Sequence, residues 1–432
     1  DEVEFASLMN LYRKAYHVFA VLVFAAGMAV LPFIHLFMKN NSYSLSYIRV
    51  LYAMWLVRTV LSYLLTYRKS LLIADQKEYI ASITGLILNV VSYLAIILLV
   101  TWEQNYLLAL GIGTVTEVVL NIWISWYVEQ KYPFLRQRRK EKSTSSLTKR
   151  IVRDLKSLFI SRISEKMLYC TDNLIISGFI GVGTVGRYAN YCMITQAISN
   201  ILTILANTIQ PTVGDYFTEK NRQRNYEILR QLTFGFFCIA SVVSVGLFSL
   251  ITPFVRDIWL GPSYELGWGI TVFCIVVLLV RIMGLPLSLV MGVTGLFEKE
   301  KNVGASSALL NLIVSLALVK PYGMAGVLLG TLLSYLLQIL YRYIIYFRDF
   351  LEMPGEALRY AQDIGEYLAV IAGEVLLMQK IVPLIYGAGG MLLFCVCFLL
   401  CIAIPLLLDL VIFGRGWRLQ SIVTMVKGMR KA

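Results

Sequence analysis

Long, uninterrupted apolar blocks set the first limit on what this chain can fold into. Val21–Phe37, Ile83–Val100 and Met391–Leu408 carry no charged residue beyond the titratable His35. A helix in a soluble core shows one apolar stripe, whereas about 20 residues that are apolar all round the helix read as a membrane span. The blocks do not alternate with period 2, as the strands of a membrane barrel do. Composition agrees, with 58% hydrophobic and 15% charged residues and a mean hydropathy of +0.71. The expected class is an all-α polytopic membrane protein.

Twelve spans are predicted, over 16–39, 48–66, 80–101, 105–128, 156–180, 185–209, 232–254, 268–293, 303–319, 323–347, 364–384 and 390–413. The fifth is the least apolar, because Arg162, Glu165, Lys166, Asp172 and Asn173 fall in or near it. Threading the spans alternately sorts the connections into two sets. One set holds about 26 lysines and arginines, the other about four (Lys39, Arg256, Lys320 and Lys380), so the positive-inside bias places both Asp1 and Ala432 in the cytoplasm. The formal net charge of +13 then belongs to basic loops beside anionic head groups, and no nucleic-acid partner is implied.

Cysteine and histidine add little. All seven cysteines lie in apolar spans, where they behave as small hydrophobes. None has metal-ligand spacing with His17 or His35, so neither a metal nor another cofactor is expected. "GVGTVG" at 181–186 matches a dinucleotide fingerprint, but that fingerprint needs a strand before it. Here it joins two membrane helices and reads as a tight turn.

The chain also repeats itself, which is the most informative internal feature. "LVR" at 56–58 recurs at 279–281, an offset of 223 residues, and "KEYIASITGLILN" at 77–89 matches "KEKNVGASSALLN" at 299–311, an offset of 222. Asn89 falls on Asn311, and Gly113–Thr114 recurs as Gly330–Thr331. "LMNLYRKAYHVF" at 8–19 lines up with "NYEILRQLTFGF" at 225–236, with Arg13 on Arg230. Two spans precede this lead-in in the second copy and none in the first. The expectation is a longer protein with two further helices upstream of Asp1, since a signal peptide cleaved there would leave Asp1 on the wrong side of the membrane.

Two helical bundles related by a repeat, a basic linker and two trailing helices resemble the multidrug/oligosaccharidyl-lipid/polysaccharide exporter superfamily. "CTDNLIISGFIGVGTVGRYANY" at 170–191 resembles the entry to the second bundle in the polysaccharide-flippase branch, and "LMNLYRKAY" the equivalent point of the first. The resemblance implies a MATE-like fold of two six-helix bundles plus two C-terminal helices. On this chain it implies an N-terminal bundle over 1–128 holding four of its six helices, a cytoplasmic linker over 129–150 and a complete bundle over 151–347. The extra helices then occupy 348–413 and a basic tail 414–432. It further implies a flippase that carries polyprenyl-pyrophosphate-linked oligosaccharide to the outer leaflet by alternating access. Membrane lipids and other polysaccharide-assembly membrane proteins are its implied partners.

Charges inside spans are the functional candidates, because each costs roughly 2.5–3.5 kcal/mol at a helix centre on insertion scales. Arg58 and Arg281 superpose in the repeat. Facing one cavity, they would suit the pyrophosphate of a lipid carrier, since guanidinium pairs bidentately with phosphate oxygens. Alternatively each offsets a neighbouring carboxylate or carbonyl. Glu117, aligned with Ser334, is either the partner of Arg58 or an ion-coupling site. Arg162 and Lys166 share one helical face. With Asp172 and Asn173 they either line a cavity mouth that admits a sugar-lipid head group or form an amphipathic helix end in the interface. Glu374 sits on the trailing pair. Pro286, in the span of Arg281, is expected to kink that helix.

Two other functions compete. A membrane-embedded polymerase or acyltransferase needs acid–base residues on a substantial non-membrane loop, and the outer connections here are short and lack histidine. A drug/cation antiporter of the same superfamily needs no extra helix pair and no cationic spans, and both features favour an anionic lipid.

Overall fold

The computed structural model describes residues 2–39, 43–103, 105–133, 170–217, 221–387 and 389–414. Its first helices are α1 (Glu2–Val30, prolonged by a 3-10 segment over Leu31–Phe37), α2 (Leu45–Thr66), α3 (Lys69–Ala74), α4 (Glu78–Glu103) and α5 (Tyr106–Lys131). A helix over 170–179, here α6, leads into α7 (Val182–Tyr216), α8 (Arg222–Pro253) and α9 (Trp268–Val293). The chain continues through α10 (Phe297–Tyr322), α11 (Met324–Ile344), α12 (Pro354–Tyr386) and α13 (Met391–Phe413). Wide π turns extend α8 over Phe254–Trp259 and α11 over Ile345–Leu351.

Several starts are set by local chemistry. Ser44, Asn105 and Asn221 each accept a backbone N–H of the first turn, from Tyr47, Leu107 and Arg224, and so cap α2, α5 and α8. Between α6 and α7 the chain turns at Ile180–Gly181, where Gly181 has φ 141°, a region that favours glycine. Only this first glycine of "GVGTVG" is in the turn, and the remainder opens α7.

Among the described residues, eleven helices are long and apolar enough to cross a membrane. They coincide with eleven of the twelve predicted spans, and α9 matches 268–293 residue for residue. The remaining span, 156–180, lies outside the described residues except for α6. Helix α12 begins ten residues before the predicted 364, because its first turns are polar yet helix-favouring. They open on Pro354, a residue suited to the first helical turn. Helix α9 stays one continuous helix through Pro286, as membrane helices permit.

The chain divides into two units, Asp1–Lys156 and Ser157–Ala432. In the first, α1 packs on α2, α2 on α5 and α4 on α5. In the second, α8 packs on α9, α9 on α11 and α10 on α11. The same three pairings in the same order are the spatial form of the sequence repeat.

Close backbone approach drives these contacts, since lipid leaves little hydrophobic force between helices. On α11, a Cβ added at Gly326 would run into the Leu318 carbonyl oxygen, and one at Gly330 into Ser315 Oγ. Gly326, Gly330 and Ser334 therefore form a small-residue stripe against Ser307, Asn311 and Ser315 of α10, all three of which are fully buried. In the first unit, Gly27 of α1 admits the Leu56 side chain, and Tyr52 Oη donates to the Gly27 carbonyl at 3.0 Å. Helices α12 and α13 both pack on α8.

Candidate functional site

In the first unit, α2 and α5 bring together a polar stripe within the span. Arg58 Nε donates to Glu117 Oε2 at 2.6 Å, and its guanidinium carbon lies 5.1 Å from the Trp55 ring centroid. Gly113, one turn before Glu117, makes room for it, since a Cβ there would stand 3.3 Å from Arg58 Nη1. One turn after Glu117, Asn121 Nδ2 donates to the Glu117 carbonyl at 2.9 Å and its Oδ1 accepts from Thr66 at 3.1 Å. Glu117 is thus the partner of Arg58. The two side chains remain 29% and 31% exposed, and neither Nη of Arg58 is hydrogen-bonded among the described residues.

Beyond this stripe, α1, α2 and α5 border an open cavity of about 470 Å³. Arg13, His17, Tyr67, Arg68, Trp126 and Glu129 are among its lining residues. Arg68 is paired to Glu129, and the His17 ring bonds the Arg13 carbonyl. The result is a chamber with cationic groups and two aromatic faces. Sequence reasoning noted Arg13 only as a repeat marker, because nothing in a local window shows that it shares a chamber with Arg68.

In the second unit, Arg281 Nη1 donates to Ser199 Oγ at 3.1 Å and lies over the Tyr335 ring at 5.8 Å. Its setting on α9 and α11 repeats that of Arg58 on α2 and α5, with Tyr335 next to Ser334, the counterpart of Glu117.

Asp172, read from the sequence either at a cavity mouth or in an interfacial helix end, is packed inside the second unit. It is 4% exposed and held from both sides. Thr331 Oγ1 donates to Oδ2 at 2.6 Å and Asn311 Nδ2 to Oδ1 at 3.3 Å. Asn311 Nδ2 also donates to Thr331 Oγ1 at 2.9 Å, and Asn311 Oδ1 accepts from Thr171 at 3.1 Å. Ser315 Oγ donates to the Val327 carbonyl one turn from Thr331. A carboxylate at mid-bundle needs donors, and the small-residue contact of α10 with α11 brings two to it. Asn173, the next residue, is exposed. Arg162 and Lys166 lie outside the described residues, as do most of the linker 129–150 and of the tail 414–432.

The sequence carried a signal for this network that went unused, since Asn89/Asn311 and Thr114/Thr331 were in register. Two further groups, the Arg230–Asp363 pair and Asp409, were not singled out. Arg230 bonds Asp363 through two atoms, Nε at 2.6 Å and Nη2 at 2.9 Å.

Residues 9–217 match the family model described as "Polysaccharide biosynthesis protein". No curated protein matches the sequence. Among solved structures, the chain is similar to "Lipid II flippase MurJ, inward closed conformation", with a TM-score of 0.65 and 15% identity over 96% of this chain and 87% of that one. It is also similar to a point mutant of the Vibrio cholerae MATE transporter VcmN, with a TM-score of 0.50 and 11% identity over 80% of this chain and 78% of that one. Both likenesses show one helical frame, and this chain has it. The fold is thus the one these transporter structures share, and residues 9–217 carry the pattern of the polysaccharide biosynthesis family.

Proposed function

We propose that this transporter moves a polyprenyl-pyrophosphate-linked oligosaccharide across the cytoplasmic membrane by alternating access, with both ends of the chain in the cytoplasm, for surface polysaccharide export. The observation that carries the reading is Arg58. It is a guanidinium inside a span, fixed through Nε by Glu117, with its Nη pair unused among the described residues and partly open. Such a group offers a pre-oriented fork to phosphate oxygens, and holding it ready lowers the ordering cost of binding. Arg281 supplies the matching cation of the second unit, while Arg162, Lys166 and Asn173 remain candidate contacts for the head group. Arg13, Arg68 and Trp126 suit an anionic, sugar-bearing head group through charge and ring stacking. Asp172 acts with Asn311 and Thr331 inside the second unit rather than on the sugar-lipid.

A second reading, a drug/cation antiporter, draws support from the likeness to VcmN and from the buried Asp172. One experiment separates the two. The full chain is reconstituted in proteoliposomes with a fluorescent polyprenyl-pyrophosphate oligosaccharide, and leaflet exchange is read with an impermeant quencher. Flipping by the wild type, reduced at least tenfold in Arg58→Ala, supports the flippase. Efflux of a fluorescent cation with no lipid movement supports the antiporter.

A further inference from the structure

The two trailing helices form a site with α8 that the substrate reading does not use. Helices α8 and α12 run in parallel with one register. The bonds Arg230–Asp363 and Ser241–Glu374 both join residues 133 apart in sequence. The Thr233–Tyr360 contact at 3.1 Å sits beside the first bond, and between the two bonds lies an aromatic layer. In that layer Phe237 stacks on Tyr367 at 4.5 Å and meets Phe413 edge-on at 5.5 Å. One turn beyond the layer, Ser241 Oγ donates to Glu374 Oε2 at 2.6 Å, and Asp409 of α13 faces both.

The exposures are 2% for Glu374, 4% for Asp409 and 0% for Ser241. Among the described residues, Glu374 Oε1 and both oxygens of Asp409 have no hydrogen-bond partner. Independently of the acids, the hydroxyl of Ser244, on the same face of α8 and 0% exposed, is also without a partner among them. The other titratable groups beside the two acids are Cys238 on α8, next to both, Tyr367 on α12, and Cys401 on α13, next to Ser249. None of these described groups is a cation. Arg230 lies beyond the aromatic layer on Asp363, and Lys380 lies further along α12. Two adjacent carboxylates without a countercharge cannot both stay ionised in an apolar bundle. A proton on one supplies both the missing donor and the missing charge.

We propose that Glu374 and Asp409, assisted by Ser241, are a proton-binding site, and that proton exchange there is tied to the packing of α12 and α13 on α8. In the protonated state one carboxyl O–H donates to the other carboxylate. On release the O–H bond breaks, the proton passes to water, and two facing anions repel each other and loosen α13. The Phe237–Tyr367–Phe413 layer closes the site toward the Arg230 end, so the proton enters from the side of Ser244 and Ser249.

Infrared difference spectroscopy on the full chain in lipid nanodiscs tests this. The expected result is a protonated-carboxyl band at neutral pH that bleaches as pH rises. It is lost in Glu374→Gln and in Asp409→Asn, and shifted in frequency in Ser241→Ala, which keeps both acids and spares the fold should a carboxyl variant fail to assemble. A spectrum in which the band is unchanged by all three substitutions overturns the proposal. So does a band that ignores pH, and so does one displaced by sodium chloride at constant pH, which would make the ligand a metal cation.

Discussion

The helix pairs α4–α5 and α10–α11 occupy equivalent places in the repeat, yet different interactions hold them. In α10–α11, glycines bring the backbones together and the buried Ser307, Asn311 and Ser315 face the seam. In α4–α5 the counterparts of Ser307 and Gly330 are Gly85 and Gly113, while Asn89 is exposed. In the first unit that stripe of α5 turns to α2 instead, where Gly113 and Glu117 both meet Arg58. One frame therefore serves two purposes. The second unit uses its polar groups to fix a carboxylate, and the first uses a carboxylate to fix a guanidinium.

That contrast can be broken most directly at the seam. Gly326→Leu drives a side chain into the Leu318 carbonyl and should cost at least about 3 kcal/mol, or prevent assembly, whereas Gly113→Ala displaces only a flexible guanidinium and should cost less than about 1 kcal/mol. Thermal unfolding of both variants in one detergent checks this, and equal losses would end the distinction. Next, Asn311→Ala strips donors from Asp172 and should cost about 2–3 kcal/mol, while Asn89→Ala, at an exposed position, should stay within about 0.5 kcal/mol. A smaller effect is expected from Glu117→Ala, about 2 kcal/mol for leaving Arg58 without its anion, reduced below the fully buried case by its partial exposure. Ser334→Ala at the matching position should cost about 1 kcal/mol. Chemical denaturation of the two variants ranks them.

The smallest expected effect is one of pH, at the α3–α4 corner of the first unit. Hydrogen bonds from Lys77 and then from Tyr132 hold the Asp75 carboxyl below the usual carboxylate range. Tyr132 stays a donor throughout, its hydroxyl pushed up to about 12 by burial and by Asp75. A depressed carboxyl contributes above its unfolded value and loses that contribution as pH falls through the folded one. The α3–α4 corner should therefore keep its hydrogen-exchange protection at neutral pH and lose it in acid. Tyr132→Phe should move that loss to higher pH. The counterpart of Asp75 in the second unit is Phe297, so the matching corner before α10 lacks this carboxyl.

Spans and repeat were legible because both are written in local periodicity and in order along the chain. Helix α9 could be bounded to the residue, since Gly267 and Thr294 flank an apolar block whose one charge is Arg281. Helix α12 could not, because hydropathy marks where lipid ends and not where hydrogen bonding ends. The Arg58–Glu117 pair was within reach as one of two readings, as span charges are scarce. The partners of Asp172 lie 139 and 159 residues away, and only the folding of α10 against α11 brings them in. Asp409 was hidden differently. A single acid near the end of an apolar block reads as interfacial until its neighbours are known.

The shared register of α8 and α12 has a mechanical consequence. A shaft keyed to its neighbour at two places along its length can neither slide nor turn alone. Arg230–Asp363 and Ser241–Glu374 are two such keys, several turns apart, with stacked rings filling the gap. Any rocking of α8 must then carry α12 with it, so the last two helices travel as working parts of the second bundle and not as passengers tethered behind it.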